Sequence, residues 1–314
     1  MGLLDIKGLY VDFIGRPGVH HVLKNVSLSV GYGEIVGLIG ESGSGKSTLA
    51  LTVLGISGRG RSMSGDIRFM GKSISCIGGE EMRRLRGRHI GFIPQSAMNA
   101  LDPLVTVKKQ FLETIDAHLK MSQHDALELV RRSLSSVGID WAQANSFPYE
   151  LSGGQRQRVM IALSMLLSPE LIIADEPTTA LDAAIQSHIV QLLNDVARKN
   201  DSSMLVISHD LHTISRICDR IYIMYAGRIV EHGTRDEIIE NPLHPYTKKL
   251  LSSCLRVMAE PARVYGIPGS PPSTLKEYSG CDFYERCEER SDICRIEKPP
   301  GCNSKIKASC HKRG

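Results

Sequence analysis

Aromatic residues are scarce in this chain: Phe, Tyr and Trp together are 5% of its 314 residues, and tryptophan occurs once. Long apolar runs are missing too, and no segment approaches the roughly 20 residues that a helix needs to cross a bilayer. There is no long block of one charge, because 38 Lys and Arg stand against 34 Asp and Glu and the net charge of +4 is dispersed. Few stacking platforms and no basic block argue against a dedicated nucleic-acid binder. Residues 1–10 lack a charged n-region and a long apolar h-region, so the chain is expected to be made and kept in the cytoplasm. What is present is a globular composition, 42% hydrophobic and 23% charged. It rules out a wholly disordered or fibrous chain and leaves room for one large domain or two modest ones.

Cysteine is unevenly placed. Cys76, Cys218 and Cys254 are scattered, whereas Cys281, Cys287, Cys294, Cys302 and Cys310 fall within the last 34 residues. In a reducing compartment such a cluster is more often a metal site than a disulfide set.

The first strong strand-turn-helix signal is the apolar run 34–40, then a Gly- and Ser-rich turn, then a helix over 46–54. Upstream, 22–30 alternates apolar and polar residues and reads as an antiparallel edge strand. Residues 96–148 read as a helical insertion, with helices over 107–121 and 125–137. The α/β pattern then resumes: helix 155–167, strand 171–174, helix 183–198, strand 204–207, and a hairpin of 221–225 with 228–231 across Ala226-Gly227. Strands alternating with helices predict a layered α/β sheet with its ligand at the carboxyl ends of the strands. Beyond about 236 the chain is rich in proline and reads as an appended module.

Two motifs carry chemistry. Gly40-Glu41-Ser42-Gly43-Ser44-Gly45-Lys46-Ser47 matches G-x-x-x-x-G-K-[ST] between strand and helix, with Thr48 counted beside it. Its glycines let backbone N–H groups turn onto phosphate oxygens, the helix N-terminus adds its positive dipole end, Lys46 reaches the β and γ phosphates, and Ser47 offers a hydroxyl to Mg²⁺. A Gly-Ser turn with a solvated lysine is the bland alternative. The second motif, 171–174 followed by Asp175-Glu176, buries a strand and delivers two carboxylates to its end. Asp175 is expected to hold Mg²⁺ through water and Glu176 to act as general base on the attacking water. An ordinary acidic strand end is the competing reading.

Between the two lies Leu151-Ser152-Gly153-Gly154-Gln155, which resembles the signature of the ATP-binding-cassette (ABC) ATPases. Gln95, the Ala180-Leu181-Asp182 segment and His209 resemble further elements of that family in the same order, over about residues 3–235. The resemblance implies an α/β P-loop NTPase core with an antiparallel β subdomain and a helical subdomain. It implies that the signature of one chain caps the γ-phosphate bound by a second cassette, that Gln95 joins the Mg²⁺ shell, and that His209 contacts the γ-phosphate. A monomer would then be inactive. Phe13 is taken as the aromatic that stacks on adenine, with Tyr10 as competitor and a core role for Phe13 still open.

Three segments, Asn241-Pro-Leu-His-Pro-Tyr-Thr247, Ile267-Pro-Gly-Ser-Pro-Pro272, and Gly280-Cys-Asp-Phe283 with Arg286-Cys287, resemble the tail of the oligopeptide, dipeptide and nickel importer ATPases. That resemblance implies a [4Fe–4S] cluster on Cys281, Cys287, Cys294 and Cys310, and four thiolates suit a cubane. Cys302 could substitute for Cys294 or Cys310, and zinc or unliganded thiols remain alternatives.

The resulting expectation has three parts: 1–95 with 156–235 as the ATP-binding core, 96–155 as the helical subdomain with the signature, and 236–314 as a cysteine-containing extension. The expected activity is ATP hydrolysis with Mg²⁺, energising uptake of di- or oligopeptides from the cytoplasmic face of the membrane. The expected partners are a second ABC ATPase in a heterodimer, two transmembrane permease subunits and an external solute-binding protein, with no nucleic acid. Nickel or oligosaccharide uptake, a soluble non-transport ABC ATPase, and a scaffold for iron–sulfur assembly are the rivals.

Overall fold

Partly alternating apolar residues make the first two strands, Leu4–Ile14 (β1) and Val19–Val30 (β2), which pair antiparallel from Leu4 opposite Val30 to Ile14 opposite Val19. Leu4, Ile6, Leu9 and Val11 are buried against Leu23, Val26, Leu28 and Val30. In this computed structural model residues 2–56, 58, 60–96, 99–179, 183–259, 267–303 and 305–313 are described. The chain divides into two compact units, Met1–Cys76 with Ile207–Gly314, and Ile77–Val206.

In the first unit the fully buried run Ile35–Ile39 (β3) leads through a turn into Lys46–Val53 (α1). Arg61–Phe69 (β4) and Lys72–Ser73 (β5) then complete an antiparallel sheet of order β2-β1-β4-β5, so β2 is an edge strand, as its alternation predicts.

The second unit opens with Gly79–Leu85 (α2) and Ile90–Ile93 (β6), followed by the expected helical stretch, Val107–His118 (α3) and Gln123–Ser136 (α4). Phe111, Ile115, Val130 and Leu134 fill its core at helical spacing. Gly153–Met165 (α5), Leu171–Asp175 (β7) and Ala183–Lys199 (α6) follow, and Ser203–Ser208 (β8) carries the chain back to the first unit. Within the second unit β6 and β7 are parallel, from Ile90 opposite Leu171 to Ile93 opposite Ala174, and β8 flanks β7. All five side chains of β7 are buried, and the first four, Leu171 to Ala174, form the continuous apolar run.

The first unit closes with Leu211–Ser215 (α7), Arg220–Tyr225 (β9), Arg228–Thr234 (β10), Arg235–Glu240 (α8), Pro245–Ala259 (α9) and Ile293–Ile296 (α10). The β9–β10 hairpin turns on Ala226 and Gly227, both at positive φ (47° and 83°), the geometry of a two-residue type I′ turn. Described residues beyond 236 pack into this unit. The N–H of Ser309 donates to the Val230 carbonyl at 2.8 Å, that of His232 donates to the Lys307 carbonyl at 3.0 Å, and Tyr246 and Phe283 are among the largest fully buried side chains. The proline content disguises aromatic anchors and a short stretch that pairs alongside β10.

Candidate active site

The loop between β3 and α1 is shaped by two glycines. A Cβ on Gly40 would stand 2.1 Å from the Met224 carbonyl oxygen, and Gly45 adopts φ 103° at the N-cap of α1. The loop is fixed from outside by the β9–β10 turn, where the Gly227 N–H donates to the Ser44 carbonyl at 2.9 Å, and the Gly40 N–H donates to Ser208 at 3.4 Å. Lys46 is 4% exposed, and its ammonium donates to the carbonyls of Gly40 and Glu41, each at 2.8 Å, and to the Ser44 hydroxyl at 3.4 Å. A buried cation folded back on its own loop is a charge held where an anion can replace those carbonyls. Ser42 and Gly43 are exposed, and Ser47 and Thr48 are half-buried on the first turn of α1.

In the second unit β7 ends with Asp175 buried, and Glu176 follows at φ 46°, a left-handed conformation that a non-glycine residue holds only when its surroundings enforce it. Gln95, just past β6, donates from Nε2 to Glu176 Oε2 at 3.3 Å, and the Thr179 hydroxyl donates to the same oxygen at 2.9 Å. Gln157, 2% exposed on α5, donates from Nε2 to the Pro177 carbonyl at 2.6 Å and so fixes the turn behind Glu176. Thr179 and Gln157 escaped sequence reasoning, because nothing in their local pattern distinguishes them from turn and helix-face residues.

Leu151 is buried, Ser152 is exposed, and Ser152 is the N-cap of α5, which starts at Gly153 rather than near Gln155. The Ser152 hydroxyl accepts from the Gln155 N–H at 3.3 Å, while Gln155 Oε1 accepts from the Ser152 N–H at 2.9 Å, a reciprocal capping box. Gly153 and Gly154 leave their amides bare of side chains at that helix end.

His209 lies immediately after β8 and is exposed. Phe13 sits near the end of β1, half-buried, opposite His20 and Arg61, whereas its competitor Tyr10 is 43% exposed. Ala180, Leu181 and Asp182 lie outside the described residues.

Cys281, Cys287, Cys294 and Cys310 line one small pocket with His244 and Phe283, whereas Cys302 does not line it and instead lines a larger cavity that also includes Cys281, Lys24 and Asp282. Burial pushes the Cys281 thiol up to about 11 and raises that of Cys287, so both stand protonated near neutrality. None of the cysteines described is in a disulfide, and among the described residues no group of three or more His, Cys, Asp or Glu side chains is arranged to hold a metal ion.

Residues 23–179 match the family model described as ABC transporter, and residues 230–294 match that described as oligopeptide/dipeptide transporter, C-terminal region. The dipeptide transport ATP-binding protein DppD of Caldanaerobacter subterraneus subsp. tengcongensis is 36% identical over 301 residues, covering 95% of this chain and 92% of its own length. The oligopeptide transport ATP-binding protein OppD of Escherichia coli is 38% identical over 299 residues, covering 95% and 89%. Among solved structures, a dimeric post-hydrolysis state of an ATP-binding cassette bound to ADP and Pi matches with TM-score 0.67 and 27% identity, over 74% of this chain and 98% of that one.

Proposed function

Because the chain belongs to the ABC transporter family, we propose that it is the ATP-hydrolysing subunit of an importer for di- and oligopeptides, working from the cytoplasmic face of the membrane. The observation that carries the reading is the buried Lys46 ammonium held against the carbonyls of its own glycine-turned loop, a cradle built for phosphate. The similarity to dipeptide and oligopeptide ATP-binding proteins over 95% of the chain supports peptides over nickel or oligosaccharides. The tail match at 230–294 supports a transporter over a soluble ABC ATPase or an assembly scaffold.

The residues divide the chemistry as follows. The loop 40–48 binds the phosphates, with Lys46 drawn off its carbonyls onto the β and γ oxygens, and Ser47, Gln95 and Asp175 are the residues that would hold Mg²⁺. That ion would neutralise charge on the transferring phosphoryl group. Glu176 takes a proton from the attacking water, with its carboxylate oriented by Gln95 and Thr179, and His209 steadies the γ-phosphate. Ser152, Gly153 and Gly154 offer a helix N-terminus to the γ-phosphate of a second cassette, a role that the dimeric state of the solved cassette supports. Phe13 stacks on adenine. The division into 1–95 with 156–235, 96–155 and 236–314 is kept as a division of labour: core, permease-contacting insertion and tail. The partners are a sister ATPase, two permease subunits and a solute-binding protein.

A [4Fe–4S] cluster on Cys281, Cys287, Cys294 and Cys310 is a second reading, supported by the single pocket that those four share and Cys302 does not. Those four side chains would hold such a cluster as thiolates. Among the described residues no group of three or more such side chains is arranged to hold a metal ion, an observation that weighs against zinc and a cluster alike.

The test is a pull-down of tagged Glu176→Gln chain from native membranes with ATP, which should keep the pair closed. Two permease subunits and a second cassette are the expected catch, together with loss of peptide uptake in cells lacking the chain. Recovery of soluble partners alone would overturn the importer reading.

A further inference from the structure

The three tail segments that set this chain apart from a bare cassette converge on one residue of the phosphate-binding loop, Glu41. From the first segment comes Tyr246, wholly buried, whose hydroxyl oxygen accepts the Glu41 N–H at 2.9 Å. It is set in place by its own segment. The carboxylate of Glu231 accepts the N–H groups of Leu243 and His244 at 2.6 and 2.9 Å, and the Tyr246 N–H donates to His244 Nδ1 at 3.0 Å.

From the last segment comes Arg286, with a side chain 4% exposed. It grips the Glu41 carboxylate with a two-pronged pair, Nη1 to Oε2 at 2.7 Å and Nη2 to Oε1 at 2.8 Å. The second segment supplies the remaining acceptors: Nη2 also donates to the Ile267 carbonyl at 2.8 Å and Nε donates to that of Pro268 at 2.9 Å, while Nη1 reaches the Tyr225 hydroxyl at 3.3 Å. The five N–H groups of a guanidinium are thereby all used. The Tyr225, Tyr246 and Phe283 rings pack against one another around this point, with centroids 4.7 to 5.5 Å apart. Pro271 and Pro272 line a small cavity behind the loop together with Glu41, Ser42 and Ser44.

Glu41 is therefore held by its amide, its carboxylate and, through Lys46, its carbonyl. Only the third of these contacts has to break when phosphate arrives, because Lys46 must leave the carbonyl to meet the anion. The other two keep the loop open in the binding shape while that happens, and ordering done in advance need not be supplied by the ligand.

We propose that the C-terminal module is a clamp on the phosphate-binding loop, with Arg286 and Tyr246 as positioning residues that act through Glu41 to set nucleotide affinity. The proposal rests on the ATPase reading and assigns the tail a task in nucleotide binding rather than in solute choice. Both residues act through Glu41. Their effect is on how often the loop presents its amides correctly, so it falls on binding and KM more than on turnover at saturation.

The test is calorimetric titration of the purified full chain with Mg-ADP, alongside steady-state ATPase kinetics. Arg286→Ala is expected to weaken Mg-ADP binding by about tenfold and to raise KM with kcat changed less than about twofold. Glu41→Ala is expected to lose affinity as well, and the double variant to lose no more than the worse single one, because both remove the same contact. Arg286→Lys, with charge but no fork, should recover part of the affinity. If Arg286→Ala does not fold, Tyr246→Phe, which deletes one oxygen, reports on the same loop. Wild-type affinity in the Arg286 or Tyr246 variants, or losses that add in the double variant, would overturn the clamp. A wild-type chain that binds no Mg-ADP would overturn the ATPase reading itself, a distinct result.

Discussion

Gln95 and Glu176 are joined side chain to side chain, with Nε2 donating to Oε2 at 3.3 Å across 81 residues of sequence. The Thr179 hydroxyl completes the hold at 2.9 Å, and the Glu176 backbone sits at φ 46° to meet both. A base steered by two donors is fixed in direction but remains a base, so its loss should be felt in chemistry rather than in binding.

The first prediction follows. Glu176→Gln is isosteric, keeps both donors' partner oxygen, and should lower ATP turnover by about 10²–10⁴-fold with nucleotide binding intact. Lys46→Ala should instead abolish binding. Single-turnover hydrolysis and Mg-ATP titration on the two variants separate the effects, and a Glu176→Gln chain that hydrolyses at the wild-type rate would remove Glu176 from the mechanism.

A second prediction contrasts two glycines of the same loop. Gly40→Ala forces a Cβ to within 2.1 Å of the Met224 carbonyl oxygen, a backbone atom that cannot swing aside, whereas Gly43→Ala meets nothing within 4 Å and is opposed only by its φ of 77°. Urea unfolding should show a loss of about 3 kcal/mol or more for Gly40→Ala and about 1 kcal/mol for Gly43→Ala. Equal losses would mean that the approach to Met224 relaxes freely.

The third prediction concerns pH. Burial pushes His244 down from its ordinary 6.5 to about 4, and its Nδ1 accepts the Tyr246 N–H, so the folded chain keeps it neutral. As pH falls from 6.5 to 4 the unfolded chain gains a proton at this residue that the folded chain refuses, and stability is lost across that window; it is fully present above 6.5. The magnitude is about 2–3 kcal/mol by pH 4. The stability gap between wild type and His244→Asn should therefore narrow as pH drops through this range, and a gap constant from pH 7 to pH 4.5 would refute the assignment.

The fourth prediction separates the cysteines. In the metal-free chain burial holds the Cys302 thiol up at about 12 and that of Cys281 at about 11, while Cys76 is exposed. Alkylation at pH 8 followed by peptide mass analysis should modify Cys76 first and leave Cys281 and Cys302 largely unmodified. If the shared pocket takes a cluster, anaerobically prepared chain should carry about four iron atoms, retained in Cys302→Ser and lost in Cys281→Ser. Iron loss in Cys302→Ser would move the ligand set.

Much of the fold is legible because apolar period reports local structure faithfully. The runs at β3 and β7, the alternation in β2 and the helices at α3 and α4 are each found within a few residues of the expected bounds. β1 and β4 were not expected: Gly8 and Gly65, at φ 56° and 105°, interrupt them, and their register shifts between Lys7 and Tyr10 break the alternation. How the tail packs is not legible in the sequence, because proline content hides the fact that Tyr246 and Phe283 are buried anchors.

The amino-acid sequence by itself determined the chemistry that this chain can perform, since a phosphate cradle needs glycines, a lysine and a hydroxyl at fixed spacing along one turn, and such short-range order is written in consecutive residues. Only the tertiary structure decided what holds that cradle. Glu41 and Arg286 are 245 residues apart, their pairing depends on where three tail segments and a hairpin turn come to rest, and no local pattern encodes a contact whose geometry exists only once the chain has folded.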